Sequence, residues 1–407
     1  MVLELDEYLA PGEKYRLSLS YSGRISGENL NGFYRIKYDE DGKEKWLATT
    51  QFQPTFARAM LPCFDEPLFK AHYTITITYP KNMVALSNTM DNNNEDVGDN
   101  WKRTSFHRTP RMSSYLLAIV ISEFDFAQTT TNSGTLFRVW SRSDLKNQCK
   151  FAADAGRVIL EYFEKYFGLH YPLEKQDMVA IPDFDAGAME NWGLIMYRDM
   201  FLLFSETSSA SRTKLRVAEI IAHELAHQWF GNLVTMAWWS DLWLNEGFAT
   251  FLQFPGTEAA LPHVQMNTTF ASRTIQHAQL PDQMLTTHPL SVHTQLPDKI
   301  FALFDRITYD KGASMVRMMQ FISGGSVLHH SLRTYLRNNQ YDVATMEDLV
   351  DPNIREAVYC TGVQEGNTDD WKYLWDRLRK EQQSAERFSL LNGVACSKDD
   401  NRLKTYV

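Results

Sequence analysis

Along the first part of the chain, apolar and polar positions alternate with period two. Tyr15, Leu17, Leu19 and Tyr21 alternate with Arg16, Ser18 and Ser20, and Tyr73, Ile75, Ile77 and Tyr79 alternate with threonines. Successive side chains of a strand point to opposite faces, so this pattern predicts half-buried antiparallel strands up to about residue 126. Asn92-Asn93-Asn94-Glu95-Asp96 reads as a solvated hairpin loop, and Thr129-Thr130-Thr131-Asn132-Ser133-Gly134 as a turn between strands. From Phe151 the period changes: Phe151, Ala155, Val158, Ile159, Tyr162, Phe163 and Tyr166 recur at spacings of three and four, and Gly168 closes the segment. That aromatic stripe predicts a core-facing helix.

Three further helices follow. The first carries Val217, Ile220, Ile221, Leu225 and Trp229 as apolar positions and has Gly231-Asn232 as its stop signal. The second opens at Ser240 or Asp241 as cap and closes at Pro255-Gly256. The third surrounds Ala313 to Phe321, and a last region places Trp371, Leu374, Trp375 and Leu378 on one stripe. The chain therefore divides into a sheet region (1–126), a mostly helical region (127–350) and a short helical region (351–407). The class is α+β, with no internal repeat.

Chemistry enters on the first of these helices, in His223-Glu224-Leu225-Ala226-His227, followed by Glu246 in Leu244-Asn245-Glu246-Gly247-Phe248. Residues i and i+4 of a helix share a face, so both imidazoles point into one volume. With Glu246 they can fill three corners of a zinc tetrahedron and leave the fourth to water. Glu224 is rotated by about 100° from His223, beside the metal rather than on it, where a general base belongs. A second cluster, Gly187-Ala188-Met189-Glu190-Asn191, lies between the strand-like runs Met178–Ile181 and Gly193–Tyr197. By composition it is a turn; near a metal, its carboxylate can hold a protonated amino terminus by a charge-assisted hydrogen bond.

Composition adds limits. The 407 residues are 44% hydrophobic and 22% charged, near the globular average. A net charge of −9 argues against nucleic acid or an anionic membrane as main partner. The sequence has no run of eighteen apolar residues, the length needed to span a bilayer, and Met1-Val2-Leu3-Glu4-Leu5-Asp6-Glu7 lacks the basic and apolar regions of a signal peptide. The four cysteines allow three pairings that sequence alone leaves open. Asn267-Thr268-Thr269 is a glycosylation acceptor.

Taken together, the two motifs resemble the zinc aminopeptidase family typified by aminopeptidase N, a branch of the gluzincin metallopeptidases. Thr50-Gln51-Phe52-Gln53, Leu61-Pro62-Cys63-Phe64-Asp65-Glu66-Pro67, Trp229-Phe230-Gly231-Asn232-Leu233-Val234-Thr235 and Ile307-Thr308-Tyr309-Asp310-Lys311-Gly312-Ala313 follow in the family's order, and the resemblance runs from about residue 10 to about 348. It implies a saddle-like N-terminal β domain (1–126), a thermolysin-like zinc catalytic domain (127–350) and a piece of a C-terminal helical domain (351–407). It implies one zinc per chain on His223, His227 and Glu246, with Glu224 as base and Tyr309 as the phenol that stabilises the oxyanion. Gly187, Ala188, Met189, Glu190 and Asn191 become the substrate-binding stretch with Glu190 as amine anchor, Ala188 and Met189 lining the first side-chain pocket, Gln53 near the first side chain and Gln51 near the amine.

The resemblance further implies hydrolysis of the first bond of peptides with a free, neutral amino-terminal residue. It implies a Cys360–Cys396 disulfide, hence an oxidising compartment and an extracellular or cell-surface ectodomain; Cys63 is expected as a buried thiol. Members are usually more than twice as long. This chain is accordingly expected to enter the sheet domain partway and to join, at Asp351-Pro352-Asn353-Ile354-Arg355, a segment from far downstream, leaving open strand edges, exposed helix faces and a wider cleft. Two alternatives to an aminopeptidase stand beside it: a weak or inert ectodomain fragment with a binding role, and a zinc endopeptidase.

Overall fold

A computed structural model describes residues 8–349, 355, 359, 360, 362–364 and 368–399. The two N-terminal sheets are antiparallel, as the alternation predicts. One holds β1 (Gly32–Glu40), β2 (Lys43–Gln51), β4 (Val84–Ser87) and β7 (Ile119–Ser122) in the order β1-β2-β7-β4; the other orders β3 (Thr76–Pro80), β5 (Asp91–Asp96) and β6 (Trp101–Phe106) as β3-β6-β5. Ile77 and Tyr79 face inward and Thr76 and Thr78 outward, the phase expected for β3.

Two sheet expectations change. Tyr15, Leu17, Leu19 and Tyr21 form no strand and are exposed, because no neighbouring strand among the described residues takes up their backbone hydrogen bonds. Asn92–Asp96 is no loop but most of edge strand β5, fully exposed and paired to β6, and the turn falls at 97–100 instead. Here ladder hydrogen bonds outweigh the poor strand propensity of asparagine, helped by Asn94, which accepts from the Thr104 hydroxyl and donates to Asp91.

A third sheet follows in sequence, in the order β11-β12-β10-β9-β8. Its members are β8 (Asp125–Thr130), β9 (Leu136–Ser141), β10 (Lys175–Ile181), β11 (Ala188–Met189) and β12 (Leu194–Arg198), with the turn between β8 and β9 at 131–135, as predicted. β10 is parallel to β9 and β12 and entirely buried, as expected of a central strand covered on both faces. Against this sheet pack α1 (Lys150–Phe167), ended by left-handed Gly168 as predicted, and α2 (Ser211–Ala226), while α3 (Trp243–Ala260) packs on α1 and α2. Phe163 and Phe167 of α1 reach Trp229, 6.1 and 5.3 Å between ring centroids, so the aromatic stripe is the floor beneath α2.

Helix ends differ from expectation. α2 stops at Ala226, and Gly231-Asn232 lie in the loop beyond it. Ser240 and Asp241 form a short 3-10 turn, and α3 starts at Trp243 without a side-chain cap. Pro255-Gly256 does not close α3, which continues to Ala260. A Cβ on Gly256 would lie 2.8 Å from the Phe163 ring and 3.0 Å from the Ala222 methyl. This glycine is therefore a contact point between helices, and packing overrides the local stop signal.

The short helices α4 (Met266–Phe270), α5 (Gln276–Asp282) and α6 (Pro297–Phe301) lead to a π-helical turn, Ile307–Lys311, that continues into α7 (Gly312–Ser323) and α8 (Gly325–Asn338). Met318, Phe321, Ile322 and Val327 are exposed on this pair. Two C-terminal helices, Thr368–Lys380 and Ser384–Ala395, form a separate small core with Trp371, Leu374 and Leu378 buried, and Cys360 is bonded to Cys396. Cys149 is a buried thiol, whereas Cys63 is only half-buried. Asn267 is exposed on α4. The expected junction at 351–354 lies outside the described residues. No helix among the described residues is long and apolar enough to cross a membrane.

Two features generate predictions. Gly247 of α3 and Gly312 of α7 cross in contact, a Cβ on Gly247 meeting Gly312 main-chain atoms at 2.9 Å. Gly247→Ala is expected to cost about 1–3 kcal/mol in chemical denaturation through overpacking; wild-type stability in that variant would show that the crossing has slack. Lys70 is buried, donating to the carbonyls of Asn232 and Leu233 at 3.2 and 3.3 Å, and burial pushes its ammonium down to about 7 while Asp342 pulls the other way. The unfolded lysine titrates near 10.4, so between about pH 7 and 10 the unfolded chain holds the extra proton and stability rises with pH. Melting temperatures of wild type and Lys70→Met from pH 6 to 9 test this: the wild-type curve should climb relative to the variant above pH 7, and parallel curves refute it.

Candidate metal and active site

His223 stands on the last turn of α2 and His227 immediately after it, still in helical conformation, so the i to i+4 relation holds although the helix proper has ended. Glu246 comes from the first turn of α3. Their facing atoms converge: His223 Nε2 to His227 Nε2 is 3.1 Å, and each is 3.2 Å from Glu246 Oε2. Ligand atoms about 2.0–2.1 Å from a tetrahedral zinc lie about 3.3 Å from one another, so the spacing fits. The tautomers fit too. His227 Nδ1 donates to the Phe230 carbonyl at 2.9 Å, which leaves a lone pair on its Nε2. With both Nε2 atoms unprotonated, two imidazole nitrogens and a carboxylate oxygen face one another, a donor set that suits a cation. Among the described residues this is the only group of three or more His, Cys, Asp or Glu whose ligand atoms lie within 4.8 Å of one another.

Around this group lie two further buried carboxylates. Glu224 follows His223 on α2; burial lifts its carboxyl well above the ordinary range, with His227 opposing and Glu190 and Glu246 adding repulsion, and its Oε2 has no hydrogen-bond partner in the protein. Glu190 follows β11. Burial raises it to about 7, against the attraction of His227 and with Glu246 pushing the same way. Glu246 goes the opposite way, to about 2, because His227 and hydrogen bonds from both imidazoles outweigh its burial. The Tyr309 phenol, on the π-helical turn, is raised well above its usual value by burial and the three carboxylates, and its ring lies parallel to His223 at 5.9 Å.

These groups line one cavity of about 540 Å³. Of the site residues expected from sequence, Gln51, Gln53, Gly187, Ala188, Glu190, His223, Glu224, His227, Glu246 and Tyr309 line it. Met189 and Asn191 do not; both are fully buried. Strand alternation explains this, since Ala188 faces the cavity and Met189 the core behind it. The two glutamines also differ in placement. Gln53 Nε2 donates to Glu190 Oε1 at 3.2 Å, whereas Gln51 Nε2 reaches only the Met189 sulfur and the Gln53 carbonyl.

Several lining residues escaped the sequence reading, among them Arg216, Ile220, Thr250 and Gln253. Their signal was available. Ile220 and Arg216 lie three and seven residues before His223, and Thr250 and Gln253 lie four and seven after Glu246, on the faces that already carry the ligands. Phe201, Phe301 and Phe304 come from distant segments and had none.

A profile of the peptidase family M1 domain matches residues 151–371, and one of the peptidase M1 N-terminal domain matches residues 1–116. An Aminopeptidase M1 of Arabidopsis thaliana is 44% identical over 349 residues, 86% of this chain and 39% of that protein. A Glutamyl aminopeptidase of Homo sapiens is 42% identical over 352 residues, 86% and 37%. An Aminopeptidase N of Rattus norvegicus is 40% identical over 365 residues, 88% and 38%. The chain thus spans under two fifths of the length of these relatives. With the catalytic-domain profile covering more than half of its residues and the N-terminal profile preceding it in order, this chain belongs to peptidase family M1.

Proposed function

We propose that this chain is a zinc-dependent aminopeptidase that hydrolyses the first bond of peptides with a free amino terminus. The observation that carries this reading is the convergence of His223, His227 and Glu246 in the same cavity as Glu190 and Glu224. A zinc ion held by the three ligands supplies a water of lowered pKa and a Lewis acid for the carbonyl oxygen. Glu224, raised in basicity and unpartnered at Oε2, takes a proton from the attacking water and passes it to the departing amine. Glu190, its carboxylate oriented by Gln53, holds the substrate ammonium. The Tyr309 phenol, kept protonated by burial, donates to the carbonyl oxygen as negative charge develops there.

The amides of Gln51 and Gln53 are neutral groups at the inner wall, so neutral first residues are preferred over acidic ones. A cell-surface or extracellular setting is the proposed location, supported by the Cys360–Cys396 bond and by the exposed acceptor Asn267. Residues 1–126 and 351–407 are proposed as flanking domains to a catalytic domain at 127–350.

Two outcomes are expected. Hydrolysis of leucine p-nitroanilide should vanish with chelator and return with zinc, and Glu224→Ala should lower kcat about 10²- to 10⁴-fold while binding the metal normally; activity surviving both treatments would remove the zinc mechanism. Glu190→Gln should raise KM for free-amine substrates, acetylated peptides should resist cleavage, and leucine should be preferred to glutamate at the first position. Efficient cleavage of acetylated peptides would instead mark an endopeptidase.

A further inference from the structure

The stretch after β11 is held mostly by side chains, not by a sheet. The Glu190 carbonyl accepts from Asn232 Nδ2 at 2.8 Å and from Gln228 Nε2 at 3.3 Å, and the same Gln228 amide donates to the Glu224 carbonyl at 2.9 Å. The Trp192 carbonyl accepts from Asn88, and the Gly193 carbonyl from Lys175. Gln228 and Asn232 belong to the turn directly after His227, whose own carbonyl accepts the Asn232 backbone N–H at 3.0 Å. Lys70 and Tyr115 fix that turn from the other side, through the carbonyls of Asn232, Leu233 and Gly231. A short rigid path therefore runs from the metal-ligand end of α2 to the backbone of Glu190.

We propose that Asn232 and Gln228 are positioning residues that set the distance between the amine anchor Glu190 and the metal group. The proposal rests on Glu190 being that anchor. The need for it is geometric. In a peptide the amino nitrogen and the first carbonyl carbon are two bonds apart, about 2.5 Å, so anchor and metal must hold their separation to within about 0.5 Å for the first bond, and no other, to reach the water.

Packing alone does not account for these two residues. Both are buried, and Gln228 Oε1 and Asn232 Oδ1 have no hydrogen-bond partner in the protein. An apolar side chain of the same shape would fill the space without that cost. What the amides supply is the N–H donors aimed at the Glu190 carbonyl.

The test is calorimetric titration of the zinc-loaded 407-residue chain with two small hydroxamates that bind the metal alike. Alanine hydroxamate carries the free amine and acetohydroxamate lacks it. Asn232→Ala and Gln228→Met are each expected to weaken alanine hydroxamate about tenfold, the usual effect of one lost buried hydrogen bond, and to leave acetohydroxamate within twofold. Equal weakening of both ligands in a folded variant, or of neither, overturns the proposal. Should Asn232→Ala fail to fold, Asn232→Asp decides, since it keeps the shape and replaces the donor with a repelling oxygen. Glu190→Gln is the control: if it does not weaken alanine hydroxamate selectively, the anchor reading itself falls and the proposal with it. If it does and the other variants do not, only the positioning role is lost.

Discussion

Two imidazole nitrogens and a carboxylate oxygen that meet within 3.2 Å form the constraint around which this molecule is arranged. Three polar ligand atoms this close are costly to bury unless a cation or a proton is shared between them. Holding them together is the task of packing. α1 floors α2 with aromatic rings, α2 and α3 cross where Gly256 allows contact, and α3 meets α7 at the Gly247–Gly312 crossing. The two helix crossings fall at glycines, because a Cβ there would lie 3.0 Å or less from atoms of the facing helix.

The electrostatics follow from the same burial. Three buried carboxylates share one cavity with two imidazoles, and their proton affinities spread apart: burial raises Glu224 and Glu190, while at Glu246 the contacts with both rings outweigh burial and lower it. One residue type thus acquires three proton affinities: Glu246 at about 2, Glu190 at about 7 and Glu224 well above the ordinary carboxyl range. The chemistry lies in this separation rather than in any single residue.

Away from the cavity the chain tolerates features a closed domain avoids. The alternating segment from Tyr15 to Tyr21 has no strand partner among the described residues, and Phe321, Ile322 and Val327 face solvent. Neither feature adjoins the three ligands. The cavity walls come from β2, β11, α2, α3 and the π-helical turn, elements that belong to the main core. The small C-terminal core with its disulfide is separate from it.

Sequence alone determined the local relations. The His223–His227 pair is fixed by helical spacing, the stop at Gly168 by backbone freedom, and the phase of Ile77 and Tyr79 by strand alternation, since each depends on neighbours a few residues away. Tertiary structure decided what depends on distant partners. It carried α3 through Pro255-Gly256 because Phe163 and Ala222 wait there, and made Asn92–Asp96 a strand because β6 lies alongside. It also left Tyr15 to Tyr21 without a strand partner among the described residues, although their pattern is that of a strand. A strand or a buried helix is stabilised by surfaces contributed from elsewhere in the chain, and those are absent from any local window of residues.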